Sequence, residues 1–172
     1  MLYLLNKTPL SRKYKNSVRE RKHRKELKPM KYLQKENVQI LEHSADWKEA
    51  IRSSVGLLEK GNYVTQSYKE AVIDNVTNLG PYICIAPHVA MPHARPEQGA
   101  LATQIAITLF REEVVFTRED ARANLFIALS AADSDSHLEL LAKISELLQD
   151  EQTANNILQA QDADALYHYF AD

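Results

Sequence analysis

The chain has 172 residues, 45% hydrophobic and 26% charged, with a formal net charge of −2. That length and apolar content suit one compact domain with an appendage, and no apolar run approaches the roughly 18 residues of a bilayer-spanning helix. The single cysteine, Cys84, excludes an intrachain disulfide and fits a reducing compartment. The start, "MLYLLNKTPLSRK", has its positive charge on the wrong side for a secretory signal, so a cytoplasmic protein is expected.

Charge is distributed unevenly. Residues 1–30 hold ten lysines and arginines against two acidic residues, a balance of +8, so the remainder carries −10. The block "SRKYKNSVRERKHRKELKPMK" reads as a solvated tail, as a nucleic-acid or membrane-surface contact, or as sequence upstream of a natural start at Met30. It lacks the repeated aromatics of a single-strand binder and an apolar face for membrane docking. The domain pattern begins after it, so the expected division is a basic extension over 1–30 and one domain over 31–172.

"NVQIL" (37–41) predicts a short strand. Asp46, with Glu49 three residues later, predicts a capped helix that carries Trp47, Ile51, Val55 and Leu58 on one face and ends at Gly61. Thr65 opens a second helix with Tyr68, Val72, Val76 and Leu79 on one face, stopped by Gly80-Pro81. "YICIA" (82–86) predicts a buried strand. "LATQIAITLF" (101–110) predicts another, with Leu101, Thr103, Ile105, Ile107 and Leu109 on one face, and "EVVF" a short edge. "NLFIALSA" (124–131) is apolar on both faces and predicts a central strand. After "AADSDS", a helix buries Leu140, Leu141, Ile144, Leu147 and Leu148, and two short helices follow in "EQTANNILQA" and "DADALYHYF". Helices at both ends with strands between them indicate α/β layers around a mixed sheet.

Chemistry concentrates in "APHVAMPHARPE" (86–97). His88 and His93 are five apart in a segment that Pro87 and Pro92 keep extended, so their side chains point to opposite faces and do not chelate one metal. Cys84 adds no usual zinc spacing, and no metal is expected. With four glycines the chain has no GxGxxG, Walker or GxSxG motif, and no nucleotide or organic cofactor is expected. What remains is a histidine held by proline and followed by arginine. Imidazole is a reversible nucleophile near neutral pH, and the Arg95 guanidinium suits phosphoryl oxygens. His137 falls in the first turn of the helix after "AADSDS", beyond an N-cap at Asp133 or Ser134, where backbone N–H groups and the positive dipole end suit an anion. On the pattern alone, a helix-start histidine satisfied by local backbone explains His137 slightly better.

The segment resembles the enzyme IIA domains of the bacterial sugar phosphotransferase system (PTS), mannitol–fructose type. Their signature is filled here by Asn78, then Ile85 and Ala86, then Val89-Ala90-Met91-Pro92-His93-Ala94. The resemblance covers roughly residues 31–172 and implies a three-layer α/β/α fold with a central mixed β-sheet. Within the family, "GPYICIAP" and "MPHARPEQGA" look most like ascorbate-specific IIA proteins. It implies that phospho-HPr passes its phosphoryl group to the Nε2 (tele) nitrogen of His93, and that His93 hands it to a cysteine of the IIB component. The membrane IIC component then couples it to sugar uptake, L-ascorbate in that branch. The family's second active-site histidine falls on His137. The arginine that other branches carry on the preceding helix is missing from "AVIDNVTN", and Arg95 is the candidate to replace it. Ascorbate-type sequences commonly have glycine after "IAP", where this chain has His88, which is not assigned a catalytic role. Two other functions are weighed against this one: a nitrogen-type regulator signalling by phosphorylation state, and nucleic-acid binding through the basic block, which the acidic domain opposes.

Overall fold

The run that is apolar on both faces becomes the middle of the sheet. A computed structural model describes residues 30–118 and 120–171. All readings of the basic block therefore lie outside the described residues, save at Met30. Five strands are present: β1 Leu33–Leu41, β2 Cys84–Ala86, β3 His88–Ala90, β4 Gln104–Val115 and β5 Arg122–Ser130. Their spatial order is β1-β4-β5-β3-β2. The β1–β4 and β3–β5 pairs are parallel, whereas β4–β5 and β2–β3 are antiparallel, so the sheet is mixed.

Helices cover both faces. On one, α1 (Trp47–Lys60) and α2 (Gln66–Leu79) bury Ile51, Val55, Leu58, Tyr68, Val72 and Val76 against Ala106, Phe110 and Phe126. On the other, α3 (Ser134–Gln149), α4 (Glu151–Leu158) and α5 (Ala163–Ala171) bury Leu140, Ile144, Ile157, Leu166 and Phe170 against Ile105, Ile107, Leu109 and Ile127. Each fully buried aliphatic side chain contributes about 1.5–3 kcal/mol, so both layers are held by area removed from water. The α1 cap forms through Asp46, whose side chain accepts the Glu49 N–H at 2.8 Å. This is the three-layer α/β/α arrangement expected. Among the described residues, no helix is long and apolar enough to cross a membrane.

Four expectations need correction. The 82–86 run is no buried strand. The N–H groups of Tyr82 and Cys84 are spent on a turn to Gly80 and Pro81, so only Cys84–Ala86 pairs, at the sheet edge, with Ile85 44% exposed. Leu101 and Thr103 precede β4, because the N–H groups of Leu101 and Ala102 both donate to the Tyr63 carbonyl. "EVVF" is no separate edge: β4 continues through a register shift and pairs Val114 and Val115 with β5. Leu79 ends α2 exposed rather than on its buried face.

The sheet topology positions the chemistry. β3 and β5 are parallel neighbours, so both chains leave the sheet at the same edge, and the Leu129 N–H donates to the Pro92 carbonyl just beyond β3. The segment after β3 carries His93, and the segment after β5 leads into α3 with His137. Residues 44 positions apart thus meet outside the carboxyl ends of two adjacent strands, the usual ligand position in an α/β sheet.

Candidate active site

His93 stands half-buried where β3 gives way to the loop. Its Nδ1 lies 2.7 Å from the Met91 carbonyl oxygen. A carbonyl only accepts, so Nδ1 carries the proton and the Nε2 lone pair is left for chemistry. Burial pushes the His93 pKa below its ordinary value; the Met91 carbonyl opposes the shift, and charge on His137 adds to it. The resting ring is therefore a neutral nucleophile. The ring centroids of His93 and His137 are 6.0 Å apart, and both rings line one cleft. Met91 itself is core, packed with Val89, Leu125 and Leu140.

Arg95 lies two residues on, exposed, at the wall of the same cleft of about 740 Å³ that His93 and His137 line. His93, His137 and Arg95 are thus brought together. His88 is not: it sits on β3 with Nδ1 3.0 Å from Glu113 Oε1 and 3.2 Å from Asn124 Oδ1. Asn78, part of the signature, is exposed near the end of α2 and does not line the cleft.

The loop's backbone is held by side chains that motif reading does not single out. Tyr68, buried on α2, accepts the Ala94 N–H at 3.0 Å and donates to the Leu129 carbonyl at 2.8 Å. Burial pushes its pKa up to about 12, so the hydroxyl keeps its proton. Tyr82 donates to the His93 carbonyl at 2.8 Å and sets its ring edge-on to the imidazole, centroids 5.4 Å apart. Gln98 accepts the Arg95 N–H at 3.0 Å and the Asn75 amide at 3.1 Å. The sequence held one signal for the tyrosines: an aromatic body with a polar tip finds a partner when buried.

The start of α3 takes one of the two caps that the sequence offers. Asp133 is the N-cap; its carboxylate accepts the Ser136 N–H at 2.8 Å, and this bond holds its pKa low. The dipole end is already met by an internal anion. Thr103 pins the turn, accepting the Ala132 N–H at 3.0 Å and lying 2.9 Å from the Ser136 hydroxyl. The Ala94 and Arg95 N–H groups are engaged and Pro92 and Pro96 have none, while the side chains of His137 and Arg95 line the same cleft as His93.

The model of the family described as "Phosphoenolpyruvate-dependent sugar phosphotransferase system, EIIA 2" matches residues 31–172. The chain belongs to this family. It is a PTS enzyme IIA component and hence a phosphotransferase. It is 44% identical over 130 residues to the mannitol-specific cryptic phosphotransferase enzyme IIA component of Escherichia coli K12, covering 75% of this chain and 88% of that one. It is 30% identical over 123 residues to the ascorbate-specific PTS system EIIA component of the same strain, covering 70% and 80%. The E. coli complex of mannitol enzyme IIA with phosphorylated enzyme IIB superposes with a TM-score of 0.69 at 26% identity, covering 80% of this chain and 96% of that one.

The backbone of this IIA at His88 has φ +64, in the left-handed region that favours glycine. Here a histidine occupies it, with its ring held by Glu113 and Asn124.

Proposed function

We propose that this IIA component accepts a phosphoryl group from phospho-HPr on Nε2 of His93 and passes it to the active cysteine of a IIB component. The observation that carries the reading is the His93 Nδ1–Met91 carbonyl hydrogen bond, which frees Nε2 toward His137 and the cleft. In the first step the Nε2 lone pair forms the N–P bond while the donor's N–P bond breaks and its imidazole recovers the electron pair. In the second, the IIB thiolate attacks phosphorus, the P–S bond forms, and His93 leaves as neutral imidazole. Such in-line displacement rests on positioning and charge stabilisation. His137 and Arg95 donate to the equatorial oxygens as charge shifts.

The mannitol IIA relative assembles with phosphorylated IIB, which supports the same class of partner here. Exposed Leu79, Tyr82 and Leu138 ring the cleft mouth, apolar surface suited to a transient protein contact. The greater identity to the mannitol-specific relative favours mannitol over the L-ascorbate that the loop motif implies. The domain division at 31 and a cytoplasmic location complete the reading.

The test is incubation with enzyme I, HPr and phosphoenolpyruvate, followed by intact mass and acid lability. One acid-labile phosphoryl group, lost in His93→Ala and retained in His88→Ala, is expected. Labelling that survives His93→Ala, or an unlabelled wild type, overturns the reading. Chasing the label onto cognate IIB, then assaying mannitol and ascorbate uptake separately, decides the sugar.

A further inference from the structure

Between Pro92 and Pro96, whose rings fix φ, only residues 93–95 are free to swivel. Three side chains restrain them. One, Tyr68, belongs to the core. The other two reach the loop from opposite sides: Tyr82 donates to the His93 carbonyl at 2.8 Å, and Gln98 accepts the Arg95 N–H at 3.0 Å. Neither is deeply buried, and a half-buried glutamine on a short turn samples several rotamers unless something holds it. Asn75 holds it: Nδ2 donates to Gln98 Oε1 at 3.1 Å. Asn75 also acts on the Tyr82 phenol, offsetting part of the rise in pKa that burial imposes. It projects from α2, a rigid element packed on the sheet, into the wall of the cleft.

We infer that Asn75 is a positioning residue for phosphoryl transfer, the amide that locks Gln98, and with Tyr82 fixes the His93–Arg95 segment so that Nε2 and the Arg95 guanidinium face one phosphoryl group. It touches neither phosphorus nor nucleophile and acts through the loop. The helix that lacks the family's arginine thus contributes loop geometry in place of charge. A misplacement of about 1 Å in a near-attack arrangement costs on the order of 10²-fold in rate, which is the scale on which the amide acts. The inference rests on His93 as phosphoryl acceptor.

The test is single-turnover transfer from phospho-HPr and onward to IIB, with wild type beside Asn75→Leu, Gln98→Leu, Gln98→Glu and the double Asn75→Leu/Gln98→Leu. Asn75→Leu is expected to be labelled still on His93, with the maximal transfer rate down roughly 10- to 100-fold and half-saturation by phospho-HPr within about twofold, because the docking surface is intact. Gln98→Glu keeps an acceptor for both the Arg95 N–H and Asn75, and retains the rate within about threefold. The double variant is no slower than the slower single one, since both remove one linkage. Gln98 lies on a surface turn, so its variants report even where Asn75→Leu folds poorly. An unchanged maximal rate in both leucine variants overturns the inference and leaves the His93 reading standing. A change confined to half-saturation, or a Gln98→Glu as slow as Gln98→Leu, also overturns it. Wild type unlabelled at His93 removes both readings together.

Discussion

The Nδ1 of His93 lies 2.7 Å from the carbonyl oxygen of Met91, two residues earlier in the chain. Pro92 between them holds the backbone so that the ring folds back over its own strand end. Because Nδ1 keeps its proton and donates it to the carbonyl, the phosphoryl group is expected on Nε2. Nitrogen-15 and phosphorus-31 NMR of the labelled protein checks this. A phosphoryl group on Nδ1 requires that bond to break and refutes the tautomer assignment.

The His93 pKa sets the pH profile. Burial lowers it below its ordinary value, so the ring that must stay neutral to attack is protonated only at a lower pH than an ordinary imidazole. A depressed pKa means that protonation removes the nucleophile only as pH falls further. The rate of phosphorylation from phospho-HPr is therefore expected to fall on the acid side with a midpoint below 6.5. NMR titration of the His93 ring gives the midpoint independently, and a midpoint above 6.5 contradicts the account.

In the proposed reaction, charge stabilisation is assigned to His137 and Arg95. His137→Ala is expected to be labelled at His93 but at a rate lower by about 10²- to 10³-fold, the scale for removing one preorganised donor. It also removes the charge that depresses His93, so the His93 midpoint moves up. Arg95→Lys keeps the charge but loses the planar fork, and is expected to fall between wild type and Arg95→Ala. Rapid-quench transfer assays order the four proteins. A His137→Ala protein with wild-type rate and an unmoved His93 midpoint reduces His137 to a bystander.

Much of this site was legible in the sequence, and the remainder was hidden for a physical reason. Motif and spacing singled out His93, His137 and Arg95, which the structure brings to one cleft. Asn75, Tyr82 and Gln98 carry no motif: Tyr82 and Gln98 hold backbone groups of the loop and Asn75 holds the Gln98 side chain, and no local pattern encodes those pairings. The α1 cap at Asp46 and the central β5 followed from local rules. The 82–86 run was misread because its apolar residues suggested burial, while Pro81 and Gly80 diverted the donors into a turn. At α3, spacing offered Asp133 or Ser134 as the cap, and the structure selects Asp133, whose carboxylate accepts the Ser136 N–H.

Tyr68 ties the loop to the sheet through one buried hydroxyl. Tyr68→Phe leaves the Ala94 N–H and the Leu129 carbonyl without that partner. Stranding buried backbone groups costs about 1–3 kcal/mol, so the urea midpoint is expected to fall with an unchanged slope. A variant as stable as wild type means that water replaces the hydroxyl.

His88 tests whether backbone or side chain matters at the β2–β3 turn. Its φ of +64 is tolerated by glycine and resisted by β-branched residues. The ring's contacts to Glu113 and Asn124 are half-exposed, and an exposed ion pair contributes little. His88→Gly is therefore expected to keep its stability within about 0.5 kcal/mol and its phosphoryl-transfer rate intact. His88→Val is expected to lose about 1–2 kcal/mol, the cost of a left-handed conformation, again with transfer intact once folded. Urea denaturation beside the labelling assay separates the two effects. If His88→Gly folded normally but transferred slowly, the imidazole would be part of the relay and the separation of the two histidines drawn here would be wrong.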